Sequence, residues 1–543
     1  MKPQMNTDKH RLKKILSVFI FVHLWLFFLV SCQTAPTDLR SLAPAETLVY
    51  LETNNLAQAL NALTENETFK KLSAQKTDFS VLENVQIAVA VTGFETSEKQ
   101  ITDGQAILNF KPRFVAVAET RAWNWQALSL VENNLGAFLR QTYGEDIKVE
   151  KSNQNGGTFF TWTAKDGRKV FAFVLGSLVY FGNDAAAIEK ALAVKRGEAE
   201  SLLQNDSLAR ARSSAENTLA FGFITSEGVA QIASLAGVST AVEASEEAAP
   251  RSFIAKVLPQ ILQKSVREIV WTAQKTERGI EDFYQIQTVP EVSSVLKETL
   301  IPASNKQIES AEFLPPEVFS VTRYNLQNPQ IAWRSLLLTA ARATDSVSAK
   351  ILIAFSDSVF APYGVADSET FLNAIGSDIL TARFDDEGAK SIAIVTPKDA
   401  EAVKKSLSAE INFKKSVEKQ GEAEIWKSED ESLIAAFAGN KLILGDAGSV
   451  LQSLQAKQSG LNFTKTGHFQ RLYGSDAMVV TFSKEIGSAE AIVEILGNPK
   501  GTNEQVITHY LVETRFMQNG FERKTISDFG LIGAILEQFG GGG

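Results

Sequence analysis

Cysteine and histidine are almost absent from this chain. Its 543 residues include one cysteine, Cys32, so the sequence can form no internal disulfide. Two of its four histidines lie close to the N-terminus, and only His468 and His509 belong to the rest of the chain. These two are expected in different elements, with no further ligand at metal-binding spacing. A zinc or haem site is therefore not expected, and His468 is predicted to be a polar surface residue at the start of a helix or turn.

Local catalytic motifs are missing as well. The sequence contains no Gly-x-Ser-x-Gly elbow, no phosphate-binding Gly-x-x-x-x-Gly-Lys loop, no His-Glu-x-x-His and no dinucleotide-type glycine loop. Ser-x-x-Lys spacings begin at Ser73 and Ser416, but their companion motifs are absent, and chance explains them better. No catalytic residue, metal ligand or cofactor is assigned, and a non-enzymatic protein is predicted. An envelope hydrolase stays open as an alternative, because catalytic groups can be assembled by folding alone.

The chain is acidic and long. Its 54 lysine and arginine residues are outnumbered by 63 aspartate and glutamate residues, which gives a formal net charge of −9. An acidic protein is poorly suited to bind a nucleic-acid backbone, so no nucleic-acid partner is expected. At 543 residues the chain exceeds the roughly 250–300 residues at which a single core stops growing. We therefore expect two large folded units.

The N-terminus carries the most specific pattern in the sequence. Basic residues between Lys9 and Lys14 precede an apolar run from Ile15 to Val30, which ends at Leu29-Val30-Ser31-Cys32. A basic region followed by an apolar region of this length is typical of a secretory signal. The last four residues resemble the bacterial lipoprotein signal, in which a Leu-x-small-Cys box is cut before the cysteine. The competing interpretation is an uncleaved signal anchor.

The resemblance to lipoproteins implies a membrane anchor. Cys32 would then carry a diacylglyceryl group and an acyl chain on its new amine, and several acyl chains hold a protein firmly on a bilayer. Residues 1–31 would be a cleaved signal peptide with a net charge of +4, so their removal would change the net charge from −9 to −13. Residues 32–41 would be a tether outside the cytoplasm. Gln33 after the cysteine favours an outer membrane where the organism has one.

Two segments of the chain look like copies of each other. Phe171–Gly182 and Ile434–Gly445 each place two apolar, β-favouring runs on either side of a Gly-Ser or Gly-Asn pair. Such pairs suit a two-residue hairpin turn, where the backbone φ must be positive. Each copy follows an equivalent tryptophan, Trp162 or Trp426, which favours a packing role for both side chains. Proline-marked strands, Leu42–Thr53 and Leu314–Tyr324, begin the two halves.

The matching segments predict an α+β fold made of two tandem homologous repeats, each a mainly antiparallel sheet backed by helices. The first repeat is placed at residues 42–305 and the second at residues 312–539, with a disordered glycine tail at residues 540–543. Both repeats end in a long two-stranded hairpin that leads into a terminal helix. How the two repeats are arranged is not readable from the pattern.

Two insertions break the symmetry. Ala233–Arg251 contains several glutamates among small residues and is predicted to be a mobile acidic loop, followed by a helix over Phe253–Gln263. In the second half, Pro329–Phe360 is predicted to be a longer helical region, where the first half has one helix over Leu56–Leu72, with a break near Asn66. These insertions are where the two halves are expected to differ most.

Trp123 is the one side chain singled out as a possible contact for a ligand or partner. A helix near it has an apolar stripe that begins at Trp125 and continues through Val131 to Leu139. Trp123 lies two residues before Trp125, about 200° away around a helix, so it is off the stripe. Its ring could stack on a sugar or a partner protein. The alternative is a side chain at the helix entry that folds onto a neighbouring strand.

At the proline-marked entry strands and the Phe469-x-x-Leu472 turn, the chain resembles an uncharacterised bacterial envelope family, that of domain of unknown function 3352. The resemblance implies an exported, two-repeat α+β protein and transfers no catalytic or binding residue. The function predicted from the sequence is therefore a lipid-anchored bacterial envelope protein of binding or scaffolding type. A carrier of an apolar ligand or lipid between the two halves is the alternative. The sequence identifies neither the partner nor the oligomeric state.

Overall fold

The computed structural model describes residues 37–75, 77–102, 105–215, 217–244, 248–304, 308–411, 418–500 and 506–540. Helices and an antiparallel sheet are combined, so the predicted α+β class is confirmed. The predicted signal peptide and Cys32 lie outside the described residues. Within the described ranges, every helix is too short or too polar to cross a membrane.

All twenty strands of the described chain belong to one sheet. The strands are β1 Val49–Thr53, β2 Gln86–Thr102, β3 Gln105–Glu119, β4 Lys148–Gln154, β5 Gly157–Thr163, β6 Lys169–Leu175, β7 Leu178–Gly182, β8 Ala220–Ile224, β9 Val266–Thr276, β10 Gly279–Thr288, β11 Ser320–Asn325, β12 Asp378–Arg383, β13 Ser391–Val395, β14 Glu418–Gln420, β15 Ala423–Lys427, β16 Leu433–Ala438, β17 Lys441–Asp446, β18 Val479–Ile486, β19 Ile507–Met517 and β20 Gly520–Ser527.

The α-helices lie between these strands along the chain. They are α1 Leu56–Thr64, α2 Glu67–Leu72, α3 Asn124–Ser129, α4 Gly136–Tyr143, α5 Ala185–Lys195, α6 Asp206–Ser213, α7 Ser226–Ala244, α8 Ala248–Ser265, α9 Pro290–Thr299, α10 Pro329–Arg342, α11 Ser346–Ala354, α12 Ser368–Ala374, α13 Ala400–Ser406, α14 Ala447–Ser459, α15 Gly467–Gly474, α16 Ser488–Leu496 and α17 Gly530–Gly540. A π-helical turn over Leu130–Leu135 joins α3 to α4, and a 3-10 helix over Ser356–Tyr363 follows α11. The last helix includes Gly540, and residues 541–543 are outside the described ranges.

The pairing of the strands follows the same order in the two halves of the chain. In the first half the order is β4-β5-β6-β7-β3-β2-β1-β8-β9-β10. In the second half it is β14-β15-β16-β17-β13-β12-β11-β18-β19-β20. The two innermost strands, β10 and β20, pair antiparallel and join the halves into one sheet. Every pairing is antiparallel, so a hairpin can join two neighbouring strands directly.

The predicted hairpins are present at both copies of the repeated segment. Gly176 and Gly439 begin the turns of β6–β7 and β16–β17 with φ of 63° and 62°, which confirms the turn expected from the Gly-Ser and Gly-Asn pairs. The glycines that end the two segments meet a neighbouring strand. A Cβ on Gly182 would lie 2.2 Å from the Phe114 carbonyl oxygen, and a Cβ on Gly445 would lie 2.2 Å from that of Ser391.

Along each strand, side chains alternate between the two faces of the sheet, and each face packs in its own cores. Tyr50 of β1 packs in a core that also holds Ile188 of α5 and Leu208 of α6. Its neighbour Leu51 packs against a core on the other face, which contains Trp271 of β9. A further core in the second half holds residues of β11, α14 and α15.

The helix layer over Trp271 is drawn from both ends of the chain. Residues of α1 and α2 share this core with residues of α16 and α17. At the start of α17, the Leu531 N–H donates to Asp282 Oδ2 of β10 across 2.8 Å. Beyond α2, the Thr77 hydroxyl donates to the Leu496 carbonyl at the end of α16. The last two helices of the chain therefore cover strands of its first half.

The predicted mobile loop over Ala233–Arg251 is wrong for most of its length. α7 runs to Ala244, and α8 begins at Ala248 and lies against α7, while residues 245–247 are outside the described ranges. The segment is rich in alanine, the residue with the highest helix propensity, and this preference outweighs its scattered glutamates. In the second half the predicted helical region Pro329–Phe360 is confirmed as α10, α11 and the 3-10 helix.

Candidate interaction surfaces

The turn after β3 holds Trp123 in a fixed backbone. Thr120 donates to the Ser177 carbonyl from its N–H across 3.1 Å and from its hydroxyl across 2.8 Å. The Trp123 N–H then donates to Gln126 Oε1 across 2.9 Å, a bond that a glutamine commonly makes to a helix start. Asn124 Oδ1 accepts from the N–H of Gly176 across 3.2 Å. The start of α3 is therefore tied to the β6–β7 turn.

Both tryptophans at this turn are exposed. The side chains of Trp123 and Trp125 are each 65% accessible to solvent, whereas Val131 and Leu139 of the same helical region are buried. Trp123 therefore does not fold onto a neighbouring strand, and the prediction that Trp125 begins the buried stripe is wrong. Gln126 and Ala127 are the buried residues of α3, and Trp125 lies about 200° from Ala127 around the helix, so its side chain points away from the core.

Trp123 and Trp125 follow a strand that ends at the same edge of the sheet as Thr37, the first described residue. Gln86 at the start of β2 pairs with Glu119 at the end of β3, four residues before Trp123. The Gln86 side chain accepts from the N–H of Thr37 across 3.1 Å and donates to the Thr37 carbonyl across 3.0 Å. We call Trp123, Trp125 and Thr37 together the tryptophan edge.

A polar cavity of about 340 Å³ opens beside Thr37. Two ion pairs line it. Arg40 Nη2 lies 2.6 Å from Asp38 Oδ2, and Arg212 of α6 donates to the buried carboxylate of Glu52. The Tyr50 hydroxyl donates to the same carboxylate across 2.6 Å, and burial, together with this carboxylate, raises the pKa of Tyr50 well above its usual range. Each guanidinium in the cavity thus has a carboxylate partner.

A second exposed region lies on α10, α11 and the 3-10 helix over Ser356–Tyr363. Val347 and Phe355 are 65% accessible and Val359 is 59% accessible. Further exposed apolar residues on the same helices are Ile331, Leu336, Leu338 and Ile353. We call this set the apolar helical surface. A partner that covered these side chains would remove their apolar surface from water.

The apolar helical surface is built on a firm base. Phe360 packs edge-on against Trp333 of α10 with ring centroids 5.1 Å apart. Asp345 caps α11 by accepting from the N–H groups of Val347 and Ser348 at 3.1 and 3.0 Å. Lys256 of α8 lies 3.1 Å from the same carboxylate. The exposed side chains are therefore presented by ordered helices that lie against one another.

The two histidines come together in the fold. The rings of His468, in α15, and His509, in β19, have centroids 4.6 Å apart, and the His468 ring stacks on Phe482 at 4.2 Å. Burial first, and then the charge of His509, lower the pKa of His468 to about 4, and burial also lowers the pKa of His509. His468 lies at the start of a helix, as predicted, but it is half-buried rather than a surface residue, and its contact with His509 was not predicted. Strand pairing between distant residues placed them together, which local spacing cannot reveal.

This pair does not extend to a larger ligand set. Across the described ranges, no three or more His, Cys, Asp or Glu side chains converge as a metal site would require. The other predicted site residues are separate from it. Cys32, Lys76 and Ser416 are outside the described residues. The structure therefore tests neither the lipidation prediction nor the two Ser-x-x-Lys spacings. Trp162 is buried against Phe160 at 5.5 Å, as its packing role predicts.

Comparison with known proteins adds little to this picture. No family model matches the chain, and no curated protein matches it. Among solved structures, the chain is weakly similar to the β chain of DNA polymerase III from Streptococcus pneumoniae TIGR4, with 9% identity over 88% of this chain and 98% of that chain. The TM-score of 0.09 is too low to carry an argument about fold or function.

Proposed function

We propose that the protein is a lipid-anchored component of a bacterial cell envelope that binds another envelope component and catalyses no reaction. The observation that carries the binding role is the apolar helical surface, where Phe355, Val347 and Val359 are mostly exposed on ordered helices. An apolar area of this kind is unfavourable in water and is stabilised when a partner covers it. The second half of the chain carries the helices that present it.

The anchoring part of the proposal rests on the N-terminal sequence. The Leu29-Val30-Ser31-Cys32 box after a basic and an apolar region supports cleavage before Cys32 and lipidation of its thiol. The mature protein would then face the periplasm or the exterior, with the outer membrane favoured by Gln33. In this proposal the bilayer is a partner through Cys32, and nucleic acid is not.

An internal duplication is part of the same proposal. We infer that residues 42–305 and 312–539 are tandem homologous repeats, of the kind found in the family of domain of unknown function 3352. The shared strand order on the two sides of the β10–β20 pair supports this inference. The close approach of Gly182 and Gly445 to a neighbouring strand, each at the end of a repeated hairpin, supports it further.

Native purification tests the binding role. The full chain is extracted from membranes of its own organism and its co-purifying components are identified by mass spectrometry. The double variant Phe355→Ser, Val359→Ser removes two exposed apolar side chains, and Ile507→Ser, Met517→Ser, two exposed residues of β19, serves as the matched control. We expect one component to be retained by the wild type and the control and lost from the Phe355 and Val359 variant. Equal recovery from all three would refute the role of this surface.

The same preparation addresses the alternatives. A carrier of an apolar ligand between the halves would yield a bound lipid or pigment in an organic extract of the purified protein. An envelope hydrolase would turn over an envelope substrate. The cavity of about 690 Å³ lined by Phe313, Lys441 and Leu454 lies within the second half, so a ligand between the halves would need another site.

A further inference from the structure

We propose that Trp123 and Trp125 rest in the interfacial region of the bilayer that carries the lipid anchor, and that they orient the protein on that membrane. This inference rests on the proposed lipidation of Cys32. It adds a second membrane contact, made by the folded body of the protein, to the contact made by the acyl chains.

The reach of the tether sets the first limit. Thr37 is five residues after Cys32. A chain extends by at most roughly 3.6 Å per residue, so Thr37 can lie no more than roughly 18 Å from the lipidated residue. Acyl chains on Cys32 would hold that residue at the membrane surface. The edge of the sheet that holds Thr37 must therefore stay close to the bilayer.

The second limit comes from the sheet. Thr37 is hydrogen-bonded in both directions to the side chain of Gln86, and Gln86 pairs with Glu119 on the adjacent strand, about 5 Å away. Trp123 follows Glu119 by four residues, and the intervening turn folds back on itself because the Arg121 N–H donates to Glu119 Oε1 across 2.8 Å. Thr37 and the two tryptophans therefore lie at the same strand ends, with Leu39 packed on one face of the sheet and Ala127 of α3 on the other. The short tether brings these strand ends towards the membrane.

The chemistry of the side chains suits this position. Tryptophan is enriched at membrane–water interfaces, because its ring is apolar and its indole N–H can still bond to water and headgroups. Trp162 and Trp271 are buried in cores, whereas Trp123 and Trp125 are each 65% exposed. Their backbone is already fixed by the bonds to Gln126 and the β6–β7 turn, so little further ordering is needed when they bind.

The net charge of the chain also favours contact through aromatic side chains. The chain has a net charge of −9, and loss of its basic signal would make it more negative. The net charge of the chain therefore gives it no overall attraction to anionic headgroups. Neutral aromatic side chains do not depend on such attraction. A glycan that stacks on the same rings is the other possible occupant, but it would not require the rings to lie beside the tether.

Fluorescence quenching in vesicles tests the proposal. The full chain, produced with its natural signal, is reconstituted in phosphatidylethanolamine and phosphatidylglycerol vesicles whose acyl chains are brominated, because bromine quenches tryptophan at the membrane. The variant Trp123→Ser, Trp125→Ser is compared with the wild type and with Phe355→Ser, Val359→Ser, a control that removes comparably exposed apolar side chains elsewhere. We expect quenching in the wild type and the control and its loss in the tryptophan variant.

Three further measurements show which part of the proposal each result would overturn. The mass of the N-terminal peptide shows whether Cys32 is acylated, and an unacylated Cys32 overturns the proposed anchoring together with this inference. An acylated wild type without bromine quenching overturns only the inference. Quenching by soluble peptidoglycan fragments, with none by brominated lipid, would identify a glycan site and also overturn it. Circular dichroism of the tryptophan variant checks its fold, which substitutions of exposed residues should leave unchanged.

Discussion

The guanidinium of Arg323 donates from Nε to Asp378 Oδ1 across 3.0 Å, and neither side chain reaches solvent. Arg323 Nη1 also approaches the Ser475 carbonyl at 3.4 Å, and the guanidinium lies 5.1 Å from the ring of Tyr473. In β1, the equivalent first strand of the other half, the buried charge has the opposite sign. There the Glu52 carboxylate accepts from Arg212. Each half therefore holds a buried ion pair on its opening strand, with the acid and the base exchanged.

Removal of one partner from the Arg323 pair should be strongly destabilising. Asp378→Ala leaves a buried guanidinium without its carboxylate, and we expect the free energy of unfolding to fall by about 3–5 kcal/mol. Urea denaturation followed by circular dichroism measures the change. The double variant Arg323→Met, Asp378→Leu removes both charges and should be much closer to the wild type. If Asp378→Ala were as stable as the double variant, the expected cost of the unpaired guanidinium would be contradicted.

The close approach at Gly445 predicts a large effect from a single methyl group. Gly445→Ala places a Cβ 2.2 Å from the Ser391 carbonyl oxygen, at a φ of 131° that side chains disfavour. We expect a loss of roughly 3 kcal/mol, because the backbone of β13 has to move. Gly439→Ala, in the same hairpin, is the control, since nothing lies within 4 Å of its Cβ and only the positive φ of 62° is strained.

The two glycine variants separate steric contact from backbone strain. Gly439→Ala should cost only about 1 kcal/mol. Thermal unfolding of both variants under identical conditions gives the comparison. If Gly439→Ala proved the more damaging of the two, the register between β13 and β17 would have to be different from that described.

Asp282 joins a strand of the first half to the last helix of the chain. Its carboxylate accepts from Trp271 Nε1 and from the Leu531 N–H, each across 2.8 Å. Asp282→Ala leaves both donors buried and unpaired, so we expect a loss of roughly 3 kcal/mol. Asp282→Asn keeps an acceptor oxygen and should lose less. Hydrogen exchange of the α17 amides should rise in the alanine variant, and unchanged protection there would argue against the bridge.

Burial of Asp282 also predicts a pH effect. Burial outweighs the two hydrogen bonds and raises the pKa of this carboxyl above its usual range. The folded protein therefore holds this proton to a higher pH than the unfolded chain does. Its contribution to stability is full below the unfolded pKa of 3.8 and is lost as the pH rises through the folded value. In Asp282→Asn this loss should be absent from the pH profile of unfolding.

His468 should make the protein less stable in acid. Its pKa is about 4 in the folded protein, against 6.5 for an unperturbed histidine. Between these values the unfolded chain binds a proton that the folded protein does not. The free energy of unfolding should therefore fall as the pH is lowered from 6.5 to 4. Because the ring is only half-buried, we expect a contribution of about 1 kcal/mol.

The comparison with His468→Gln isolates this contribution. The variant removes the titrating group beside His509, Arg471 and Lys484, while the carboxylates that titrate in the same range are kept. Urea midpoints at pH 7 and pH 5 should differ less in the variant than in the wild type. An identical pH dependence in the two proteins would show that the folded pKa of His468 is not depressed.

The features that the sequence predicted correctly are set by residues that are close together in the chain. The Gly-Ser and Gly-Asn pairs identified both hairpins, because a positive φ is favourable at few other residues. The proline-marked strands and the break near Asn66, which caps α2, were also correct. The π-helical turn after Ser129 could not be anticipated from a 3.6-residue period, and Trp125 was misplaced because the buried face of α3 lies at Gln126 and Ala127.

Contacts between distant residues were not predictable. The eight residue pairs that join β10 to β20 link segments some 240 residues apart, and no periodicity records such a partner. The meeting of His468 and His509 follows from the pairing of β18 with β19 and the packing of α15. For the candidate surfaces, the sequence pointed to Trp123, and it predicted the helical insertion only as secondary structure. Side-chain exposure, which depends on the finished fold, was needed to show which residues face solvent.

The position of β20 and α17 has a consequence for how the protein is made. Synthesis proceeds from the N-terminus, so β10 emerges long before Gly520–Ser527 exists to pair with it. Until β20 and α17 are made, the nascent chain presents an open strand edge, and the core around Trp271 lacks the side chains of α17. Open strand edges and exposed apolar faces make newly synthesised proteins prone to aggregation and are bound by chaperones. The first half of the sheet therefore keeps an unpaired edge at β10 until β20 has been made.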